Sequence, residues 1–135
     1  MIATYFSNKT LDYLFGLTAY TPSSNLYLGV SSTAPNADGT GVTEPVGNNY
    51  ARCTMANNKT SFTDAVAGAL SNEIEFTFNE ATGNWGVMTH FVIYDTLTSG
   101  NLLIYGELTY SRTVEIATTL VLPIGDLIIE LDNCV

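Results

Sequence analysis

The chain has 135 residues and a formal net charge of −9, from 13 acidic and 4 basic residues. The basic residues are scattered and form no positive stripe that could neutralise phosphates, which excludes nucleic acid as a partner and disfavours an anionic membrane. Charged residues make up only 13% of the chain, about half of the ~25% of an average globular domain, and this favours a protein partner or a homo-oligomer.

The first predicted element is a helix over residues 8–15. Ser7 or Asn8 can cap its N-terminus, and Gly16 follows as a C-terminal stop. Apolar residues recur at the helical spacing i, i+3 and i+4: Leu11, Leu14 and Phe15. This face predicts either ordinary packing against a sheet edge or a docking contact with another subunit.

After this helix the apolar pattern changes to period two, which is typical of half-buried antiparallel strands. Ranges 25–31, 71–78 and 126–132 alternate clearly, and range 50–55 alternates more weakly. Ranges 86–95 and 102–109 are apolar on both faces and indicate central strands or strands that meet a partner. The predicted core comprises Leu26, Leu28, Val30, Ile74, Phe76, Phe78, Trp85, Phe91, Ile93, Leu127, Ile129 and Leu131.

Seven or eight short strands separated by turn residues predict the fold. Thr98–Ser99–Gly100–Asn101 is typical of a hairpin between two of the strongest strands. We therefore expect a single all-β domain over residues 1–135, an antiparallel β-sandwich of jelly-roll type with one short N-terminal helix.

The segment 32–49 has no periodicity and is rich in glycine and proline. Loops of this length are uncommon in compact domains and are usually functional or disordered. The segment is therefore either a solvated surface loop or an arm that touches a neighbouring subunit.

The sequence offers no arrangement typical of an active site, a cofactor site or a metal site. His90, the single histidine, lies in the middle of a strand and is read as structural. Glu73 and Glu75 share one strand face and are read as solvated charges rather than a glycosidase pair. Cys53 is expected to be a buried thiol, and whether it pairs with Cys134 stays open. We expect no enzymatic activity, no signal peptide and no membrane span.

Tyrosine is abundant, with eight residues. Exposed aromatic rings serve subunit contacts or stack on sugars. Contacts with other subunits or with the capsid are predicted at Tyr5, Tyr13, Tyr20, Pro35, Asp38, Pro45, Tyr50 and Tyr110.

Three stretches carry a resemblance to a known family. They are residues 8–16 with 18–22 and 26–35, residues 38–45 with 47–52, and residues 81–91 with 93–95 and 100–103. Together they resemble small virion proteins of tailed bacteriophages, variously labelled tail fibre, minor structural or head decoration proteins. The resemblance implies a virion component on the outer surface, made in the cytoplasm of the bacterial host, and implies no reaction.

Two functions compete at this point. The compact length and the lack of a repetitive shaft favour a capsid decoration or cement protein, a homotrimer bound to the major capsid protein or to other virion proteins. The alternative is a tail-fibre or receptor-binding module whose ligand is a host glycan.

Overall fold

Eight antiparallel strands and one helix form the regular structure of residues 1–131, the part of the chain that the computed structural model describes. The elements are α1 (Thr4–Leu14), β1 (Asn25–Ser31), β2 (Cys53–Ala56), β3 (Ala69–Ser71), β4 (Phe76–Thr77), β5 (Gly86–Tyr94), β6 (Leu102–Val114), β7 (Val121–Leu122) and β8 (Ile128–Glu130). The predicted all-β class with one short helix is confirmed. The strands form one four-stranded and two two-stranded sheets, so the jelly-roll sandwich stays a prediction.

The four-stranded sheet has the order β2-β1-β5-β6. Strand β1 covers the predicted range, and β5 pairs with β6 through the predicted hairpin. Ser99 and Gly100, in its turn, have φ values of 55° and 79°, as tight hairpin turns often require. β6 continues to Val114, five residues beyond the predicted end at Thr109.

Apolar side chains cover both faces of this sheet. The first face carries the larger cluster, which includes Leu28, Met55 and Ile93, and the second carries a smaller cluster around Val92 and Tyr94. The predicted core residues that belong to the larger cluster or pack against it are Leu26, Leu28, Val30, Phe76, Phe78, Trp85, Phe91, Ile93, Leu127 and Ile129. Burial on both faces leaves the ends and the outer edge of the sheet as places for contact.

Two predicted core residues, Ile74 and Leu131, lie at the surface, with exposed fractions of 42% and 61%. The predicted strand 71–78 is divided, because β3 ends at Ser71 and the buried side chain of Asn72 forms a turn by donating to the Ile74 carbonyl. Ile74 therefore leaves the alternation, and Leu131 lies beyond the end of β8. Cys134 and the end of the predicted last strand lie outside the described residues.

The helix begins at Thr4, four residues before its predicted start. The preceding residues pair with β6: the Ala3 N–H donates to the Leu103 carbonyl at 2.9 Å, and Ile2 bridges Ile104. The Thr4 N–H donates to the Ala37 carbonyl at 2.7 Å. Backbone groups from distant segments thus replace the predicted side-chain cap, since α1 has none. Across residues 1–131, no helix combines the length and apolar content needed to cross a bilayer.

An irregularity in β5 changes which side chains share a face. The pairing with β6 shifts between Met88 and His90. Across this shift β5 advances by two residues and β6 by five, from Arg112 to Glu107. Met88 faces the larger cluster, whereas Val92 and Tyr94 face the smaller one. Unbroken alternation through the predicted strand 86–95 would place Met88, Val92 and Tyr94 on one face, and the irregularity separates Met88 from the other two.

Candidate functional site

A cavity of about 260 Å³ opens where the start of α1, the segment 32–49 and the β5–β6 turn meet. We call it the loop cavity. Its lining residues come from these segments and from the sheet below: Ala3, Tyr5, Ala37, Asp38, Gly39, Arg52, Tyr94, Ser99, Gly100, Asn101 and Leu102. Two of the predicted contact residues, Tyr5 and Asp38, are brought together here from distant parts of the sequence.

A buried ion pair builds the floor of the loop cavity. Arg52 Nη2 lies 2.7 Å from Glu44 Oε2, and the Arg52 side chain is only 7% exposed. Arg52 Nη1 donates to the carbonyls of Thr96 and Ser99 at 2.9 and 2.7 Å. The guanidinium carbon lies 3.5 Å from the centroid of the Tyr94 ring. One side chain thus fixes the long loop, the hairpin turn and the sheet relative to one another.

Tyr50, predicted as a surface contact, instead belongs to this floor. Its hydroxyl donates to Glu44 Oε1 at 2.6 Å and accepts the Val30 N–H at 3.2 Å. Its ring packs edge-on against Trp85. Burial, followed by the neighbouring Glu44 carboxylate, raises the pKa of Tyr50, so the hydroxyl stays protonated as a donor. Pro35 is also buried. In the single chain, Tyr50 is thus half-buried and Pro35 is covered, and their contacts with other subunits stay a prediction.

Gly29 leaves room for this network. A Cβ at this position would lie 2.6 Å from Glu44 Oε1 and 2.8 Å from the Tyr50 hydroxyl. We therefore expect Gly29→Ala to destabilise the chain by roughly 1–3 kcal/mol, the usual effect of overpacking. Urea denaturation would measure this loss of stability. A Gly29→Ala variant as stable as the parent chain would contradict the close packing.

Two side chains form the rigid polar walls of the loop cavity. Asp38 Oδ1 accepts the Thr40 N–H at 2.9 Å and the Thr40 hydroxyl at 2.7 Å, and these bonds lower the pKa of Asp38. Asn101 donates from its backbone N–H and its amide nitrogen to the Asp95 carboxylate at 2.7 and 2.8 Å. Both walls are therefore held by hydrogen bonds within the protein.

A second surface lies at the end of α1. No residue of the helix is buried. We call the following residues the helix patch; their exposed fractions lie between 53% and 75%: Leu11, Tyr13, Leu14, Phe15 and Leu17. Leu11, Leu14 and Phe15, predicted as one apolar face, and the predicted contact Tyr13 are thus all exposed to solvent.

A third feature is an apolar groove of about 440 Å³ beside β6. We call it the edge groove. Its apolar lining comes from both the sheet and the segment around β7: Leu28, Val30, Phe78, Phe91, Leu108, Leu120, Leu122 and Leu127. Tyr110 and Ile128 also line it and are 74% and 57% exposed. The predicted contact Tyr110 therefore lies on an apolar opening.

The other residues singled out from the sequence are dispersed. Tyr20 is half-buried with its ring 6.0 Å from that of Phe6, and Pro45 is half-buried. His90 pairs opposite Glu107 in β6, whereas Cys53 pairs opposite Leu28 on the other side of β1. The half-buried position of Cys53 raises the pKa of its thiol. The structure does not bring His90 and Cys53 together.

Sequence reasoning missed the Glu44–Arg52 pair and the edge groove. Glu44 lies in the segment 32–49, which has no periodicity, and Arg52 lies in the weakly alternating range 50–55, so no alternation indicated that the two side chains meet. Gly29, a glycine inside an apolar strand, was the one available signal, since it indicates a close approach of another group.

Comparison with known protein families gives a match over residues 1–130. The matching family is described as podophage GP4 fiber I protein gp80. The comparison with curated proteins gives no match.

Proposed function

The chain belongs to the family of the podophage GP4 fiber I protein gp80, and from this premise we propose that it is a structural fibre subunit that assembles with copies of itself. In this assembly the helix patch of one copy occupies the edge groove of the next. The family description concerns a fibre, so it favours the tail-fibre expectation over head decoration, and it makes the chain a component of the phage virion.

The exposed helix carries this proposal. An isolated helix shorter than about 12–15 residues is marginal in water, and α1 has 11 residues with none buried. Leu14 and Phe15 are 69% and 71% exposed. Burying a side chain of this size contributes roughly 1.5–3 kcal/mol. A partner that covers this face would therefore stabilise both the helix and the complex.

The edge groove fits such a helix. Residues spaced i, i+3 and i+4, here Leu11, Leu14 and Phe15, are the usual anchors when a helix binds an apolar groove. The groove is lined by side chains of the main core and borders β6. Its rim carries charges of both signs, Glu107, Arg112 and Asp126. These can pair with the charged residues beside the helix anchors, Lys9 and Asp12.

The proposed contact joins two different patches. Such a heterologous contact either closes into a ring or continues as an open filament. We propose the closed ring, with three copies as in the homotrimer expected from the sequence. Other virion proteins would then bind the assembled ring rather than the single chain.

Lysines on the helix patch are expected to break the assembly without unfolding the chain. We propose the double variant Leu14→Lys/Phe15→Lys, because lysine is a good helix former and is favoured near a helix C-terminus. The parent chain should have a mass that is a multiple of 14.5 kDa by light scattering after size exclusion. The variant should have the monomer mass with an unchanged circular dichroism spectrum.

The matched control is Val46→Lys/Val66→Lys. It adds the same charge at apolar residues that are 93% and 75% exposed but lie outside the helix patch. This control should keep the assembled mass. A parent chain that is monomeric at high concentration, or a helix variant that stays assembled, would refute the proposal.

A further inference from the structure

We propose that the loop cavity binds one neutral sugar ring, of the pyranose class, independently of self-assembly. The cavity lies at the start of α1 and at the hairpin turn, whereas the helix patch lies at the opposite end of α1 and the edge groove lies along β6. A free copy and an assembled copy can therefore both carry the site.

The cavity presents polar atoms that the protein leaves unused. Within residues 1–131, the Tyr94 hydroxyl makes no hydrogen bond, and Tyr94 lines the cavity. Asp38 uses Oδ1 for both of its bonds to Thr40 and keeps Oδ2 unused. Asn101 donates through nitrogen and keeps its side-chain carbonyl unused. A phenol, a carboxylate oxygen and an amide carbonyl make up the mixture of donors and acceptors that sugar hydroxyls match.

The charges around the cavity favour a neutral ligand. The positive charge of Arg52 is already paired with Glu44 in a bidentate arrangement at 3.0 and 2.7 Å. Asp38 places a carboxylate on the wall, and the chain as a whole carries −9. An anionic sugar or a phosphate would meet repulsion from Asp38, and Arg52, the one basic residue among the described lining residues, is already paired. Asp38 is the one carboxylate among the described lining residues, fewer than a divalent cation prefers.

The volume of the cavity suits a single sugar ring. Its volume of about 260 Å³ lies just below the roughly 300 Å³ at which pockets for drug-sized ligands begin. Tyr5, which is 36% exposed, offers an aromatic surface for the apolar side of the ring.

Nuclear magnetic resonance titration of the full chain tests the site. The probes are D-glucose, D-galactose, N-acetyl-D-glucosamine and L-rhamnose, with N-acetylneuraminic acid as the charged probe. At least one neutral sugar should give saturable shifts of the Asn101 side-chain amide and the Gly39 and Gly100 backbone amides, with a dissociation constant on the order of 1 mM. The charged probe should bind more weakly than that sugar.

Two variants remove single polar atoms. Tyr94→Phe keeps the ring beneath Arg52 and removes only the hydroxyl, whereas Asp38→Asn replaces an exposed carboxylate and keeps an acceptor for Thr40. Each should weaken sugar binding roughly 3–10-fold, the loss of about one hydrogen bond. Tyr110→Phe, the matched control in the edge groove, should bind as the parent chain does.

Three results would overturn the assignment. They are the absence of saturable shifts with every neutral sugar, tighter binding of N-acetylneuraminic acid than of any neutral sugar, and unchanged binding in both cavity variants. Because Asp38 is at the surface, Asp38→Asn keeps the test decisive even if Tyr94→Phe fails to fold.

Discussion

Arg52→Met is expected to destabilise the folded chain by about 3–5 kcal/mol, the usual loss when one member of a buried ion pair is removed. Arg52 binds both oxygens of Glu44 and the carbonyls of Thr96 and Ser99. Methionine keeps the apolar stem but supplies no donor. Glu44, whose side chain is 20% exposed, would lose its cationic partner, and both carbonyls would lose their donor.

Urea denaturation followed by Trp85 fluorescence measures this loss, because the Trp85 ring contacts Tyr50 in the same network. The double variant Arg52→Met/Glu44→Leu should lose less than the sum of the single variants, since no unpaired charge remains. Lys59→Met is the matched control. It breaks an ion pair with Asp64 whose side chains are 84% and 75% exposed, and we expect a change of at most about 1 kcal/mol.

If Arg52→Met lowers the free energy of unfolding no more than Lys59→Met does, Arg52 does not hold the segment 32–49 and the β5–β6 turn together. Additive effects of Arg52→Met and Glu44→Leu would show that the two side chains act separately. The stability of Arg52→Met also matters for the loop cavity, because the hydrogen bonds of Arg52 both hold the cavity in shape and stabilise the domain. Variants at Arg52 are therefore unsuitable as tests of sugar binding.

The strands that follow simple alternation could be predicted from the sequence. In β1, Leu26, Leu28 and Val30 alternate with smaller or polar residues, and the whole range forms a strand. The hairpin before β6 could also be predicted from the sequence, since Ser99 and Gly100 adopt the positive φ of its turn. In both cases the determining interactions lie within a few residues of each other in the chain.

The predictions that failed share a different cause, which is contact between segments that are distant in the sequence. The start of α1 is set by Leu103 and Ala37 rather than by a local cap. The faces of β5 reverse at an irregularity in its pairing with β6 that has no signature in the apolar pattern. Alternation alone placed Ile74 in the core, because it carries no information about the side-chain bonds of Asn72.

The sequence could predict individual residues of the candidate site but not their arrangement around a cavity. Tyr5 and Asp38 were selected as contact residues for their side-chain types, but only the fold places them around one cavity. Leu14 and Phe15 were correctly placed on one helix face, and the sequence left open whether that face was covered. The edge groove could not be predicted from the sequence, because it arises where short strands leave part of a sheet uncovered.

Asn72→Leu is expected to destabilise the chain by roughly 3–6 kcal/mol, because each buried backbone group that loses its partner costs about 1–3 kcal/mol. Asn72 is 1% exposed. Its amide nitrogen donates to the carbonyls of Ile74 and Pro123 at 2.7 and 2.8 Å, and its carbonyl accepts the Leu127 N–H at 2.9 Å. Leucine has a similar size and satisfies none of these groups, so the turn after β3 would separate from the segment before β8.

Urea denaturation of Asn72→Leu and of the matched variant Asn57→Leu separates this effect from the cost of adding a leucine. Asn57 is exposed and donates one side-chain bond, to the Ser23 carbonyl at 2.9 Å, so its loss should be about 1 kcal/mol. An equal decrease in the free energy of unfolding in the two variants would mean that water replaces the hydrogen bonds of Asn72. A much larger loss of stability at Asn72, with faster amide hydrogen exchange at Leu127, would show that the Asn72 side chain joins the turn after β3 to the segment before β8.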